Sequence, residues 1–335
     1  MPEDASAEPD APHGDWRPTA TLETLHARAD LYGRVRRFFA GRGVLEVETP
    51  LLQAATVTDL HLHSLGCELG GPRGVGTFHL QTSPEFAMKR LLAAGSGPIY
   101  QLCKAFRADE LGHRHNPEFT MLEWYRPGFD HHRLMDEMDA LLDHVLGCGS
   151  ARRATYGELF GSRVGIDPHR ADPDALARSA REHGIELVAD GPADRDGWLH
   201  LLWSHAVEPT LGQGRPTFVH DFPATQAALA RIRPGTAGEP SVAERFEVYI
   251  DGVELANGFH ELDDAHEQRR RFEADLAARR RAGLPEPPID ERLLAALDHG
   301  IGDCAGVALG MDRLLMLRLG IDDIRQVLAF PIDRA

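Results

Sequence analysis

Two arginines and a handful of carboxylates, far apart in the chain, carry the chemistry this sequence can offer. The densest stretch is Phe106 to Tyr125, FRADELGHRHNPEFTMLEWY. The run Ile99 to Arg107 is mixed and apolar. Glu118 to Arg126 alternates, with Phe119, Met121, Glu123 and Tyr125 on one face and Thr120, Leu122 and Trp124 on the other. Both read as strands. The loop between them, Ala108 to Pro117, is polar and ends on an Asn-Pro turn signal. Joined as an antiparallel hairpin, they place Arg107 beside that loop. Its planar fork can there hold carboxylate or phosphate oxygens in pairs. A surface hairpin with solvated charges is the plain alternative.

Three further stretches have chemical potential. Val253 to Asn257 returns from the two-residue turn Asp251-Gly252 and carries Glu254, Asn257 and, beyond Gly258, Glu261. A spacing of seven with an intervening glycine can bring both carboxylates to one pocket. Beside phosphates such a pair needs a cation, and Mg²⁺ is the usual one. A polar strand face is the alternative. The segment GVALGMDRLLML, 306–317, reads as a buried strand, a tight turn and an apolar helix from about Asp312. Gly310 permits close backbone approach to a flat ligand, and Arg313 projects from the helix start. Thr82-Ser83-Pro84-Glu85 opens another helix, with Ser83 suited to the N-cap, Pro84 to the first helical position and Glu85 to the positive end of the dipole. Capping alone also accounts for Glu85.

The elements that must position these groups are legible over most of the chain. A helix from Leu22 to Ala40 has an apolar stripe of Leu25, Leu31, Tyr32, Val35, Phe38 and Phe39, and Gly41 and Gly43 end it. A strand at 44–50 ends on Pro50, which suits a sheet edge. Residues 57 to 82 read as strands around GGPRGVG, Gly70 to Gly76. That run lacks the Gly-Lys-Ser/Thr ending of a phosphate loop and is read as a hairpin turn. Leu134, Met138, Leu141, Leu142 and Val145 mark a helix. So do the charged run Asp264 to Arg281 and the run Ile289 to His299. Residues 150 to 240 show only helical patches near 173–184 and 196–212. Residues 1 to 18 are rich in Ala, Pro, Asp and Glu and are expected to be a disordered tail.

Composition bounds the class. The 335 residues are ordinary for a soluble globular protein, 42% hydrophobic and 26% charged. The net charge, 36 − 52 = −16, gives no support to broad salt-driven nucleic-acid binding. No apolar run is long enough to span a bilayer, and the acidic start has no signal-peptide core. Cys67, Cys103, Cys148 and Cys304 are scattered, as in reduced cytosolic proteins, so a cytoplasmic location is expected. His61 and His63, like His131 and His132, read as solvated histidines rather than metal ligands.

Taken together, GVLEVETPLL at 43–52, FR…RHNPEFTMLEWY at 106–125, ELANGFHEL at 254–262 and GVALGMDRLLML at 306–317 resemble motifs 1, 2 and 3 of the class II aminoacyl-tRNA synthetases, in the lysyl-type version. The resemblance covers roughly residues 22 to 335. Lysyl-tRNA synthetases carry an anticodon-binding OB-fold domain ahead of this core, and only about twenty residues precede it here. The chain is therefore most similar to the truncated paralogues that attach (R)-β-lysine to elongation factor P. The blocks TSPEF, KRLLAAG, GPIYQLCKAFR, AERFEVY and GVALG strengthen that likeness.

The resemblance implies an α+β fold, a class II antiparallel sheet flanked by helices, as one catalytic domain over 19–335 with a helical insertion region at 150–240. It implies two half-reactions: formation of a lysyl adenylate from ATP, then transfer to a lysine ε-amine of elongation factor P. Arg107 would contact the substrate carboxylate and the α-phosphate, and Arg313 the γ-phosphate. Ala108, Asp109, Asn116, Glu254, Leu255 and Gly310 match ATP-contacting positions. Ser83, Pro84, Glu85, Tyr125, Asn257, Glu261 and Ala308 match substrate positions, and Glu254 and Glu261 match Mg²⁺ positions. Two departures stand out. Asp109 is one methylene shorter than the usual glutamate, which puts its adenine contact in question. Ala308 replaces a glycine of the lysyl-tRNA synthetases, and its extra methyl is expected to disfavour α-lysine and admit (R)-β-lysine. Motif 1 implies a homodimer. A tRNA-charging lysyl core and a non-catalytic paralogue are the rival readings. The first is disfavoured by the missing anticodon module, and the second by the presence of Arg107, Glu254, Glu261 and Arg313.

Overall fold

A computed structural model describes residues 16–70, 76–186, 191–192, 194–236 and 238–335. The expected tail, 1–15 in particular, and the middle of the Gly70 to Gly76 turn lie outside the described residues.

The chain begins with α1 (Leu22–Ala40), capped by Thr21, whose side chain accepts from the Thr24 N–H. Four short strands follow: β1 (Leu45–Glu46), β2 (Leu52–Gln53), β3 (Gly66–Leu69) and β4 (Gly76–Leu80). Then come α2 (Glu85–Ala93), the hairpin β5 (Ile99–Phe106) and β6 (Glu118–Pro127), and α3 (His131–Leu146). The middle of the chain gives β7 (Arg152–Thr155), α4 (Tyr156–Val164), α5 (Pro173–Glu182), α6 (Arg195–Leu202), β8 (Thr217–Pro223) and β9 (Ile232–Arg233). The last third gives β10 (Val242–Ile250), β11 (Val253–His260), α7 (Ala265–Arg281), α8 (Glu291–His299), β12 (Cys304–Gly310) and α9 (Met311–Leu319).

The main sheet runs β1-β5-β6-β12-β11-β10-β8-β7, with β9 beside β10. It is antiparallel except at its two edges, where β1 pairs with β5 and β7 with β8 in parallel. β2, β4 and β3 form a separate small antiparallel sheet. The α+β architecture expected from the sequence is therefore present, with a mixed central sheet and flanking helices.

Strand alternation decides which side chains meet the site. On β6, Leu122 and Trp124 turn into the core with Phe39, whose ring stacks on Tyr100 at 4.5 Å and meets Trp124 at 5.2 Å. Burying each such ring contributes about 1.5–3 kcal/mol. That core also takes in Leu134, Met138, Leu141, Leu142 and Val145 of α3 and Leu314 and Leu315 of α9. The opposite face of β6 is left to line a cavity.

Two expectations need correction. The strand read at 44–50 is a two-residue edge strand, after which only the Val47 N–H reaches back, to the Tyr100 carbonyl. Residues 150–240 are not only helices and loops, because β7 and β8 complete one side of the main sheet. The end of β8, VHDFP, hides it: His220, Asp221 and Pro223 break the alternation, and Asp221 takes a left-handed φ of 58°.

Candidate active site

The cavity-facing side of the sheet opens into a space of about 1340 Å³, above the roughly 300–1,000 Å³ of a pocket for one small ligand. It has room for two. Ser83, Glu85, Arg107, Asn116, Tyr125, Glu254, Leu255, Asn257, Glu261, Ala308, Gly310 and Arg313 all line it. Pro84, Ala108 and Asp109 do not. Asp109 is turned outward and pairs with His63, and the Ala108 N–H donates to the His63 carbonyl at 2.8 Å. Glu110, one residue on, lines the cavity and pairs with Arg107 at 2.8 Å.

The two carboxylates of β11 reach one cavity by a route that the spacing alone did not reveal. Residues 254 and 261 differ by an odd number, so a regular strand would send them to opposite faces. The register against β10 slips between Val248 and Tyr249, which pair with Ala256 and Glu254, leaving Leu255 as the extra residue of a β-bulge. That bulge reverses the alternation. Gly258 stays in register and serves packing instead: a side chain there would collide with the Phe246 ring and Val307.

One end of the cavity is acidic. Glu123, 2% exposed, accepts from Ser83 Oγ at 2.9 Å and from the Tyr125 hydroxyl at 2.5 Å. Lys89, fully enclosed, lies 2.6 Å from a Glu85 oxygen and 2.6 Å from a Glu261 oxygen. Burial pushes the Glu123 carboxyl up to about 8, reinforced by the charge of Glu85. Burial pushes Glu261 up to about 7 against the opposing pull of Lys89. The Lys89 ammonium is held above the usual lysine range, because the two carboxylates outweigh its burial. Ser83 also accepts from the Glu85 N–H at 3.0 Å, but the N-cap is Pro84 rather than Ser83, one residue later than expected.

The other end is lined by arginines. Arg107 follows β5 and continues its ladder, its N–H donating to the Pro117 carbonyl at 2.9 Å. Its guanidinium lies over the Phe119 ring at 5.1 Å, and its buried Nε has no hydrogen-bond partner among the described residues. Arg313 stands in the first turn of α9 and donates to the Glu254 carbonyl at 2.8 Å and to His115 Nε2 at 2.5 Å. Burial and the Arg313 charge lower the His115 pKa, which keeps the ring neutral and able to accept. Glu254 is pushed up to about 7 by burial and by the charge of Glu247. A methyl on Gly310 would make ordinary contacts with the Leu255 carbonyl at 3.8 Å and the Arg313 side chain at 3.9 Å, so this cavity-lining position would accept one without a clash.

Several residues that build this site were not singled out from the sequence. Asp312, 2% exposed, accepts from the Thr120 N–H at 2.6 Å and pairs with Arg28 at 2.6 Å, pinning the start of α9 so that Arg313 is aimed. Lys89 was readable, being four residues after Glu85 on one helix face. On β10, Arg245, Glu247 and Tyr249 occupy the cavity face, opposite the apolar Phe246 and Val248. Arg245 donates to Asn257 Oδ1 at 3.1 Å and to Glu247 at 2.5 Å, so Asn257 is held from the neighbouring strand. Asn116 spends its amide within the chain, donating to the Glu118 carbonyl at 2.6 Å and accepting from the Ile332 N–H at 3.1 Å.

Two expected results follow. Gly306 lies where a side chain would collide with the Tyr125 ring and the Glu261 carboxylate. Gly306→Ala should cost about 1–3 kcal/mol of stability from overpacking. It should also depress amino-acid-dependent ATP–pyrophosphate exchange more than it depresses ATP binding, and equal losses in both would show that the glycine is not specific to the acidic end. The second result concerns pH. Glu123, Glu254 and Glu261 have folded-state pKa values near 8, 7 and 7 against an ordinary 4.5, so the folded chain binds more protons than the unfolded one between those values. The stability of the ligand-free protein should therefore fall as pH rises from about 5 to about 8.5, the reverse of acid denaturation. Thermal unfolding across that range checks it, and a flat or rising profile would contradict it.

Comparison with known proteins gives the family. The model of the tRNA synthetases class II (D, K and N) matches residues 6–334. A Vibrio cholerae protein named elongation factor P--(R)-beta-lysine ligase is 58% identical over 326 residues, 96% of this chain and 99% of its own length. Proteins of the same name from Vibrio vulnificus and Klebsiella pneumoniae are 56% and 53% identical, each over 323 residues and 96% of this chain, covering 99% and 98% of their own lengths. By sequence, and with the arginines and carboxylates above gathered at one cavity, the chain belongs to the class II tRNA synthetase family and, within it, to the elongation factor P–(R)-β-lysine ligases.

Proposed function

We propose that this protein activates (R)-β-lysine with ATP and transfers it to a lysine side chain of elongation factor P. The observation that carries the reading is the convergence of Arg107 and Arg313 at one end of a two-ligand cavity whose other end is acidic. A lysine isomer brings two ammonium groups and one carboxylate. The acidic end supplies Glu85, Glu123 and Glu261 against the single charge of Lys89. It suits the ammonium groups, while the substrate carboxylate points toward Arg107.

In the first half-reaction a carboxylate oxygen of the amino acid forms a bond to the α-phosphorus of ATP and the bond to pyrophosphate breaks. Arg107 screens the two anions from each other and holds the charge that builds on the α-phosphate oxygens. Arg313, fixed by the Glu254 carbonyl and His115, holds the terminal phosphate. The part of the cavity lined by Gly310 takes the adenine. In the second half-reaction the ε-amine of the acceptor lysine attacks the activated carbonyl, loses a proton, and AMP leaves. No covalent link to the enzyme is required.

Mg²⁺ fits at Glu254, a half-buried carboxylate on the cavity wall with no ion pair among the described residues. Glu261 shares Lys89 and is better matched to the substrate side, though it borders the same space. When bound, the ion would neutralise phosphate charge. A homodimer is part of this proposal: Leu45, Leu51, Leu52, Leu65 and Leu69 are exposed apolar side chains gathered on the β1–β4 segment. No described helix is long and apolar enough to cross a membrane. A tRNA substrate is not proposed, in keeping with the acidic balance.

Intact-mass measurement of elongation factor P after incubation with this enzyme, ATP, Mg²⁺ and each lysine isomer tests the proposal. The expected result is a gain of one lysyl group, greatest with (R)-β-lysine. Charging of tRNA with no change in elongation factor P would overturn it. Ala308 lines the cavity, and an Ala308→Gly variant should shift adenylate formation toward α-lysine. An unchanged preference would remove Ala308 as the selector.

A further inference from the structure

The face of the sheet turned away from the cavity carries a second cluster of ionisable groups, which the chemistry above does not use. On β11, Phe259 and Glu261 face the cavity, so His260 between them faces the start of α3. There it meets His131, the first residue of that helix, and Glu244 of β10. One ligand atom from each of these three lies within 4.8 Å of the other two. His131 is 1% exposed, yet neither of its ring nitrogens has a hydrogen-bond partner among the described residues. Asp221 Oδ1 lies 3.9 Å from His131 Nε2 and is likewise buried without a hydrogen-bond partner. Buried polar atoms are rarely left unsatisfied, and two facing each other point to a missing occupant.

We propose that His131, Glu244 and His260 bind a divalent transition-metal ion, Zn²⁺ by its preference for such donors, with Asp221 as the fourth ligand. Two imidazoles with two carboxylates are a borderline donor set, suited to zinc and unlike the all-oxygen shells of Mg²⁺ or Ca²⁺. The surrounding groups are arranged as outer support. His260 Nε2 lies 2.8 Å from Asp303, which is the carboxylate–histidine–metal pattern, and its Nδ1 lies 2.6 Å from Glu244. Arg231 holds Asp303 at 3.0 Å, and Arg233 holds Asp221 Oδ2 at 3.0 Å, leaving Oδ1 turned to His131.

The backbone is shaped to the same end. Two residues of β10, Glu244 and Arg245, stand opposite the single Asp221 in a bulge, and Asp221 takes a left-handed φ of 58°. Non-glycine residues hold such angles at a cost, and they concentrate at sites. The ligands come from positions 131, 221, 244 and 260, with no local spacing to mark them.

The test uses the full chain, freed of metal with a chelator, and Zn²⁺ alone as the probe. Equilibrium dialysis read by elemental analysis should find one zinc per chain at micromolar zinc, with a nitrogen/oxygen coordination shell by X-ray absorption. His131→Gln and Asp221→Asn should each lower affinity at least tenfold. Asp303→Asn, which leaves all four ligands in place, should lower it on the order of 10–100-fold, and it carries the test where the buried substitutions do not fold. No zinc on the folded wild-type chain overturns the proposal. So does zinc held equally by Asp303→Asn, which would put the ion at the catalytic carboxylates.

Discussion

Arg107→Ala should lower lysine-dependent ATP–pyrophosphate exchange by on the order of 10³-fold, the scale of removing a preorganised donor from a developing oxyanion, or about 4 kcal/mol of barrier. The position explains the size. Arg107 is fixed through its backbone to Pro117, through one guanidinium nitrogen to Glu110 and over Phe119, while its buried Nε has no partner. It is therefore held in place before any ligand arrives and has bonding capacity left to offer. Arg107→Lys keeps the charge but loses the planar fork. It should recover only part of the loss, because a point charge cannot bridge carboxylate and phosphate oxygens in pairs. The deficit should fall mainly on kcat, since the contact strengthens as charge builds. The fold should tolerate the change, the side chain being partly exposed at a strand end. A loss below about tenfold with normal folding would remove Arg107 from the reaction centre, given the magnitudes expected of such donors.

How much of this could be read in advance depends on how local the signal was. The hairpin of β5 and β6 was legible because alternation is a neighbour-to-neighbour property, and the face carrying Phe119, Met121, Glu123 and Tyr125 is the one that lines the cavity. The turn at Asp251-Gly252 was legible for the same reason: both residues take the left-handed angles such turns require, 49° and 69°. Glu254 and Glu261 were placed at the cavity for an incorrect reason. The bulge at Leu255, not the glycine, reverses the alternation, and a bulge depends on the facing strand. Asp109 was carried over from motif position alone, and its pairing with His63 rests on a contact 46 residues apart. His131 read as a surface histidine because its helix start is polar. Its burial comes from β10 and β11, more than 100 residues later. What sequence could not show was long-range partnership: Asp312 acts through Thr120 and Arg28, and Lys89 meets Glu261 as well as its helix neighbour Glu85.

Lys89→Met should be the most destabilising single change in the site. Methionine matches the length of the lysine stem, so packing is largely kept and the loss is one of charge. The ammonium is 1% exposed and sits between Glu85 and Glu261, each 2.6 Å away, and the charges of both carboxylates also bear on Glu123. Removing one partner of a buried ionic group leaves the others unpaired in a poorly solvated space, typically a cost of about 3–5 kcal/mol. The sign of the pH dependence separates this cause from a packing defect. Glu261 already has its pKa pushed up to about 7 by burial, with Lys89 as the main group pulling it down. Without Lys89 the pKa rises further, and the carboxylates protonate on folding. The variant's deficit should therefore be large at pH 8 and shrink toward pH 5, where the protonated acids no longer need a counter-charge. A hole left by poor packing would cost the same at both. Adding Glu261→Gln to Lys89→Met should restore much of the stability at pH 8, because the pair is removed together, yet it should not restore activation of lysine. Recovery of both would mean that Glu261 serves only to balance Lys89 and takes no part in holding the substrate amine.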